Sequence, residues 1–186
     1  IKITTPEDLV MAEALMGVHR NEQPVPRSGL GYDSHRFVKD RKLILGGVEI
    51  PYAFGLSGHS DADVLLHAVC DALLGMASCG DIGRHFPDTD AAYKDIASLL
   101  LLGRVKQIID SKRMIVHNID VTVIMEKPKL VPYVAAMGEN IAKTLAIPET
   151  AVNIKAKTNE GMGFVGRGEG VAVLAIASGS ERTSHD

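Results

Sequence analysis

Asp33 and His35 lie in a run, Leu30 to Phe37, that reads as a β-strand. Residues two apart on a strand project to one face, so a carboxylate and an imidazole point together. His67 lies one helical turn beyond Asp63 and one turn before Asp71 in a segment otherwise made of Leu, Val, Ala and Cys70, so these polar groups share one side of a helix. One aspartate and two histidines are the protein ligands of a catalytic zinc site, which keeps its fourth position for substrate. The plainer alternative is a surface Asp33–His35 pair with His67 as a hydrogen-bonded core histidine. The joint pattern favours the metal set.

His59-Ser60 stands immediately before that helix, where free backbone N–H groups and the positive dipole end suit a phosphate. His59 could donate to such a phosphate, or the pair could be a simple N-cap. Asp81-Ile82-Gly83 and Phe86-Pro87-Asp88-Thr89-Asp90 are acidic and turn-rich. They could hold the hydroxyls of a polyol, although the local pattern favours Asp88 or Asp90 as a helix cap.

Met125-Glu126-Lys127-Pro128-Lys129-Leu130 ends a strand with two lysines. It is either a solvated basic loop or one that closes over a nucleotide, with Lys129 on phosphates and Leu130 against a base. Lys157-Thr158-Asn159-Glu160 places a hydroxyl, an amide and a carboxylate at another strand end. Glu160 beside phosphates suits magnesium, which often takes one carboxylate plus phosphate oxygens. Gly161 to Gly166 formally matches G-x-G-x-x-G, yet Arg167-Gly168-Glu169-Gly170 leads into a further strand instead of the helix that a dinucleotide fingerprint needs. These glycines let the backbone turn tightly, and Arg167 can pair with Glu169 or a phosphate.

The elements that must position these residues follow from periodicity and punctuation. Thr5 as N-cap, Pro6 at the first helical position, and Glu7 and Asp8 in the first turn start a helix that stops at Gly17, after a strand end at Ile1-Lys2-Ile3. His19 to Ser28 carries Pro24 and Pro26 and reads as a linker. The expected organisation is residues 1–18 as an appendage, 19–28 as linker, 29–180 as one domain and 181–186 as a tail. Within the domain, Leu30–Phe37 and Leu43–Ile50 predict strands, and Ser60–Leu74 predicts a helix capped by Ser60, with Asp61 and Asp63 in its first turn and Gly75 just past its end. A second helix is expected over Ala91 to about Lys112, a half-buried strand over Ile119–Met125 and a third helix over Pro132–Leu145. Strands at Val152–Thr158 and Val171–Ala177 follow, the last apolar on both faces and therefore central or at a subunit contact. The order is β-β-α-α-β-α-β-β.

Composition bounds what such a domain does. The 186 residues are 46% hydrophobic and 23% charged, which suits one packed domain. No apolar run approaches the roughly 20 residues of a membrane span. A net charge of −3, 4% aromatic residues and no Trp argue against nucleic acid. Cys70 and Cys79 make neither a disulfide framework nor a four-cysteine zinc site. A cytosolic, cytoplasmic enzyme or binding domain remains, and the opening at Ile1 without a signal segment suggests a piece of a longer product.

Taken together, Gly31-Tyr32-Asp33-Ser34-His35, Ser57 to Val64 with His67-Ala68, Gly80-Asp81-Ile82-Gly83, Phe86 to Asp90, Pro128-Lys129-Leu130 and Thr158 to Gly170 resemble the 2-C-methyl-D-erythritol 2,4-cyclodiphosphate synthase family, in register from about Leu30 to Ala177. Ile1 to Leu9 is similar to the C-terminal end of 4-diphosphocytidyl-2-C-methyl-D-erythritol synthases, which implies a fused or associated cytidylyltransferase domain. The resemblance implies a ferredoxin-like α+β sandwich with a mixed sheet and helices on one face, assembled as a homotrimer with sites between subunits and a central cavity able to take an isoprenoid diphosphate. It implies a CDP-polyol phosphate substrate, closed to a cyclic diphosphate with release of CMP in the non-mevalonate pathway. By the same resemblance Asp33, His35 and His67 hold zinc, Glu160 holds magnesium or manganese between the CDP phosphates, and His59 and Thr158 stabilise the transition state. The substrate-binding residues it implies are Ser60, Asp81, Ile82, Gly83, Phe86, Asp88, Asp90, Met125, Lys129, Leu130, Lys157, Asn159, Phe164 and Arg167; Lys157 stands where some members have threonine. Two other classes share parts of this inventory: a zinc phosphohydrolase using an activated water, and a metal-stabilised scaffold or isoprenoid-diphosphate sensor.

Overall fold

Pro26–Val38 forms one long strand, β1, whose residues alternate between a helix-covered face and an open one. The structure, a computed structural model, describes residues 4–16, 25–90, 93 and 95–182. A turn through Asp40, in the left-handed region at φ 61°, leads into β2 (Leu43–Leu45) and β3 (Val48–Ile50). Gly46 and Gly47 join these two, both at positive φ, as a two-residue hairpin turn requires. The strand expected over Leu43–Ile50, punctuated by Gly46-Gly47, is split there into a hairpin. The pair β4 (Gly55–Leu56) then returns to the edge of β1.

Three helices cover one face: α2 (Val64–Met76), α4 (Ser98–Ser111) and α5 (Val134–Leu145). The described residues also include single turns, α3 (Ile82–His85) and α6 (Gly163–Gly166), a 3-10 turn at Glu149–Ala151, and α1 (Pro6–Leu15). The remaining strands are β5 (Met114–Ile124), β6 (Val152–Lys157) and β7 (Gly170–Glu181). The five-stranded sheet runs β4-β1-β7-β5-β6. β7 is antiparallel to both β1 and β5, while β5 and β6 are parallel. The fold is a mixed α+β one with its core between sheet and helices, where Leu65, Leu66, Leu73, Ile109, Ile119 and Val173 are fully buried.

The major strands connect β–α–β–α–β–β, whereas a ferredoxin-like unit connects β–α–β–β–α–β. That expectation is corrected: the adjacent pair of strands comes last in the chain, because α5 carries the chain over between the parallel strands β5 and β6.

Helix starts also differ from expectation. α2 begins at Val64 because Ala62 has φ 61°, which a right-handed helix excludes; the cap is Asp63, not Ser60, and its carboxylate accepts from Leu66 N–H. Gly75 lies within the last turn and Ala77 closes it. α4 begins at Ser98, well after Ala91, because Asp95 is also left-handed and Ala97 is extended. Asp88 and Asp90 therefore do not cap it. For α1, Thr5 Oγ1 accepts from Asp8 N–H at 3.2 Å and Asp8 accepts back from the Thr4 and Thr5 N–H groups, as the N-terminal pattern predicts. Ile1-Lys2-Ile3, Gly17 and most of the expected linker lie outside the described residues. β1 starts at Pro26, paired with Ser180, so the sheet reaches into the expected linker.

The other sheet face is open. Leu30, Tyr32, Leu174 and Ile176 are 64%, 53%, 37% and 47% exposed, and pairing of Leu30 with Ile176 and of Tyr32 with Leu174 makes them one apolar block. No helix among the described residues is long and apolar enough to cross a membrane.

Candidate metal centre and pocket

The close packing of α2 on β1 creates the centre. A β-carbon on Gly29 would come 2.0 Å from Ala72 O, and one on Gly31 would come 1.9 Å from Ala68 O, so only glycine lets the helix lie this near the strand. The next two residues on that face of β1 are Asp33 and His35, and α2 presents His67 to them. Asp33 Oδ2 lies 3.0 Å from His35 Nε2 and 3.1 Å from His67 Nδ1. The His35 and His67 rings meet edge to face at 5.2 Å. Asp33, His35 and His67 are, among the described residues, the one group of three side chains whose ligand atoms all lie within 4.8 Å of one another.

The electrostatics match that convergence. Burial alone pushes the Asp33 carboxyl up, but hydrogen bonds from His35 and then His67, with their charges, hold it well below the usual carboxylate range. Burial lowers His67, and the hydrogen bond and charge of Asp33 outweigh it, so its imidazole stays above its ordinary value. One carboxylate oxygen and two imidazole nitrogens aimed at a common point form a borderline donor set that fits zinc. Asp63 and Asp71, expected on the same helix side, are occupied elsewhere. Asp63 accepts from Gly46, Gly47 and Leu66 N–H groups, and Asp71 accepts from Ile82 N–H at 2.7 Å.

A cavity of about 380 Å³ opens beside the centre. His35, His59, Ser60, His67, Ile82, Gly83, Phe86 and Asp88 line it, with Tyr93 and Leu101 among the other walls. Asp81 stands just outside as the cap of α3, accepting from Arg84 N–H at 2.9 Å. His59 Nε2 lies 3.3 Å from Asp90 O, which ties the loop before α2 to the 86–90 turn. Arg41, which sequence reasoning passed over, and Asp61, expected only as a first-turn acid, hold this loop. Arg41 donates to Gly58 O and Ser60 O at 2.8 and 2.7 Å, and Asp61 reaches to the start of α4. Their signal, an arginine beyond a turn and an acid before a helix, is too common to single out.

The other expected residues gather at the far side of the sheet. Thr158 Oγ1 donates to Glu160 Oε1 at 2.8 Å, and Glu160 is in the left-handed region at φ 50°. Glu126, also passed over, accepts from Asn159 N–H at 2.9 Å and Gly161 N–H at 3.3 Å and so shapes this loop. Asn159 Nδ2 donates to Met162 O, and Met125 N–H donates to Lys157 O. Met125 and Leu130 have their side chains in the core, so what the 125–130 loop offers outward is backbone with exposed Lys127 and Lys129. Phe164 lines a separate cleft with Ser34, His35, Arg36 and Glu169, while Arg167 Nε pairs with Glu169 Oε1 at 2.6 Å. In register, Ser34, Ala172, Ile124 and Lys157 form one row across the sheet. Three interstrand spacings, roughly 14 Å, therefore separate the Asp33 strand from the Thr158 strand within one chain.

Comparison with known proteins gives the family. Residues 26–179 match the YgbB family. The chain is 62% identical over 151 residues to 2-C-methyl-D-erythritol 2,4-cyclodiphosphate synthase of Syntrophus aciditrophicus, covering 81% of this chain and 95% of that one. It is 54% identical over 178 residues to the bifunctional enzyme IspD/IspF of Desulforudis audaxviator, covering 96% of this chain and 44% of that one. Its fold matches a CDP complex of IspF from Plasmodium falciparum with a TM-score of 0.74 at 29% identity, covering 85% of this chain and 97% of that one. On these grounds the chain belongs to the YgbB family, the family of the 2-C-methyl-D-erythritol 2,4-cyclodiphosphate synthases.

Proposed function

We propose that the cavity beside Asp33, His35 and His67 is where this chain carries out its family's cyclisation. The substrate is 4-diphosphocytidyl-2-C-methyl-D-erythritol 2-phosphate. An oxygen of the 2-phosphate attacks the β-phosphorus, the bond from that phosphorus to the bridging oxygen breaks, and CMP leaves with that oxygen. The observation that carries this reading is the convergence of three ligand atoms, those of Asp33, His35 and His67, beside a cavity that His35 and His67 themselves line.

Such a transfer needs alignment and charge neutralisation more than covalent help. Asp33, His35 and His67 would hold zinc, which supplies Lewis-acid charge to a β-phosphate oxygen. Glu160 would hold magnesium or manganese against the CDP phosphates, a role suited to an exposed carboxylate beside a hydroxyl. His59 and Ser60, before α2, would face the transferring phosphates. Asp81, Ile82, Gly83, Phe86, Asp88 and Asp90 would grip the polyol and exclude water from it. Met125, Lys129, Leu130, Lys157, Asn159, Phe164 and Arg167 would hold the nucleotide half, with Thr158 stabilising the charge that grows on the phosphates.

The two halves lie on different strands of one chain, and the open face carries an exposed apolar block. Both features support a homotrimer in which the zinc half of one subunit meets the nucleotide half of the next, around a central cavity that could take an isoprenoid diphosphate. Residues 1–18 would be the end of a cytidylyltransferase domain, 19–25 a linker and 26–181 the synthase unit, in keeping with the match to a bifunctional relative over most of the chain. A cytoplasmic setting goes with this reading. Phosphorus NMR of the full chain with the CDP-polyol phosphate, Zn²⁺ and Mg²⁺ tests it. A cyclic diphosphate with CMP is expected; release of open-chain phosphate would make the chain a hydrolase, and unchanged substrate would leave a binding protein.

A further inference from the structure

His67 is contacted on both ring nitrogens. Nδ1 lies 3.1 Å from Asp33 Oδ2, on the side of the candidate metal centre. Nε2, on the other side of the ring, lies 3.1 Å from Ser98 Oγ and 3.0 Å from Ser60 Oγ. Ser98 opens α4 and is fully buried. Its hydroxyl donates to Asp61 Oδ1 at 2.5 Å, and its backbone N–H donates to Asp61 Oδ2 at 3.0 Å.

Counting protons decides the direction of this chain. A carboxylate only accepts, so the single hydroxyl proton of Ser98 goes to Asp61. The Ser98 oxygen is then left as an acceptor, and the hydrogen between it and His67 must come from Nε2. Ser60 does not decide the matter, since its hydroxyl accepts from Ala62 N–H at 3.1 Å and can still either donate or accept elsewhere. Asp33 likewise only accepts, so without an ion Nδ1 carries a proton too. An ion held with Asp33 and His35 would take the place of that Nδ1 proton and leave the Nε2 proton directed at Ser98. Asp61 is aimed at Ser98 by the left-handed turn at Ala62, which sends Asp61 towards α4 and Asp63 towards the Gly46-Gly47 hairpin.

We propose that Asp61 and Ser98 are positioning residues for the metal centre: through the hydrogen bonds Asp61–Ser98–His67 they hold His67 in the Nε2–H tautomer and so reserve Nδ1 for the ion. The proposal rests on the metal reading given above. Outer partners of ligating histidines fix ring orientation and tautomer, and their loss weakens metal binding by about 10–100-fold.

Asp61→Asn separates this role from helix capping. The asparagine oxygen still accepts the Ser98 backbone N–H, but its amide now donates to the Ser98 hydroxyl, which turns its proton towards Nε2 and favours the Nδ1–H tautomer. The expected result, by chelator competition on the full chain with Zn²⁺, is a zinc dissociation constant raised about 10–100-fold in Asp61→Asn and raised in Ser98→Ala, with both metal-free variants still folded and unfolding cooperatively. Asp61→Asn should unfold at a lower temperature than wild type, because its amide also faces the Asp63 N–H that Asp61 Oδ1 accepts at 3.2 Å. Nitrogen NMR of zinc-loaded, histidine-labelled wild type should show His67 protonated at Nε2 and metal-bound at Nδ1. A proton on Nδ1 overturns the proposal whatever the variants do, as do folded variants that bind zinc within about two-fold of wild type. A wild-type chain that takes up no zinc overturns the metal reading itself, and the relay with it.

Discussion

Gly31 and Ala68 are packed so closely that a β-carbon on Gly31 would stand 1.9 Å from the Ala68 carbonyl oxygen. That approach brings Asp33, two residues further along β1, to the His67 side chain beside Ala68. Gly31→Ala must push α2 off the sheet. We expect destabilisation of about 3 kcal/mol or more, with loss of zinc binding. Gly103, inside α4 with only Thr144 Cγ2 near its would-be β-carbon at 3.9 Å, is the control. Gly103→Ala should be neutral or stabilising by about 0.5–1 kcal/mol. Denaturant unfolding of the two variants side by side checks the contrast.

His67→Ala should reduce turnover by about a hundredfold or more, since several kcal/mol of charge stabilisation go with the third ligand. Core packing around α2 should survive. Metal analysis with activity assays decides it: full zinc content and intact turnover would remove His67 from the centre.

Asp63 provides a pH prediction. Burial pushes its carboxyl up to about 6 from an ordinary 3.8, against the hydrogen bonds from Gly47, Leu66 and Gly46 N–H groups. The folded chain then binds this proton more tightly than the unfolded chain, so the contribution to stability falls as pH rises from about 4 to about 6. Asp63→Asn does not titrate and should lack that slope. It should also be less stable by about 1–3 kcal/mol, because its amide faces a backbone N–H that loses its acceptor. Unfolding free energies at fixed protein concentration across this window test both parts; parallel pH profiles would contradict them.

Deleting residues 1–24 should leave assembly and turnover unchanged, whereas a cut that removes Pro26 takes away a residue paired with Ser180 in the sheet. Size-exclusion chromatography and the phosphorus assay compare the two truncations. Loss of activity on the shorter cut would show that α1 packs on the synthase unit.

Mixed assemblies test the proposal of a homotrimer with shared sites. Asp33→Asn with His35→Ala disables one half, and Lys129→Ala with Thr158→Ala disables the other. Each homotrimer should be inactive. A ring with both kinds of chain has one junction where intact halves meet, so co-expressed trimers should recover about a third of wild-type activity at best. No recovery above the parents would place the whole site within one chain.

The candidate metal set was legible in the sequence because its geometry is local on each element. Period two on β1 aims Asp33 and His35 together, and one residue on α2 completes the group. Strand and helix types were readable for the same reason: alternation and turn residues act over a few positions. What depends on contacts far apart in sequence was not. Asp61 and Asp63 look alike as acids before a helix, yet the left-handed Ala62 sends one to Ser98 and the other to the Gly46-Gly47 hairpin. The start of α4 at Ser98 depends on Asp61 accepting its N–H across a gap of 37 residues, which no local pattern encodes. The last strand's apolar faces already marked it as central or at a subunit contact, and β7 is the middle strand. That its neighbours are β1 and β5 is the tertiary part, with Val171, Val173, Ala175 and Ala177 buried. Residue chemistry and local period determined which groups could bind a metal. Close packing, through glycines that admit a helix onto a strand, decided that they meet.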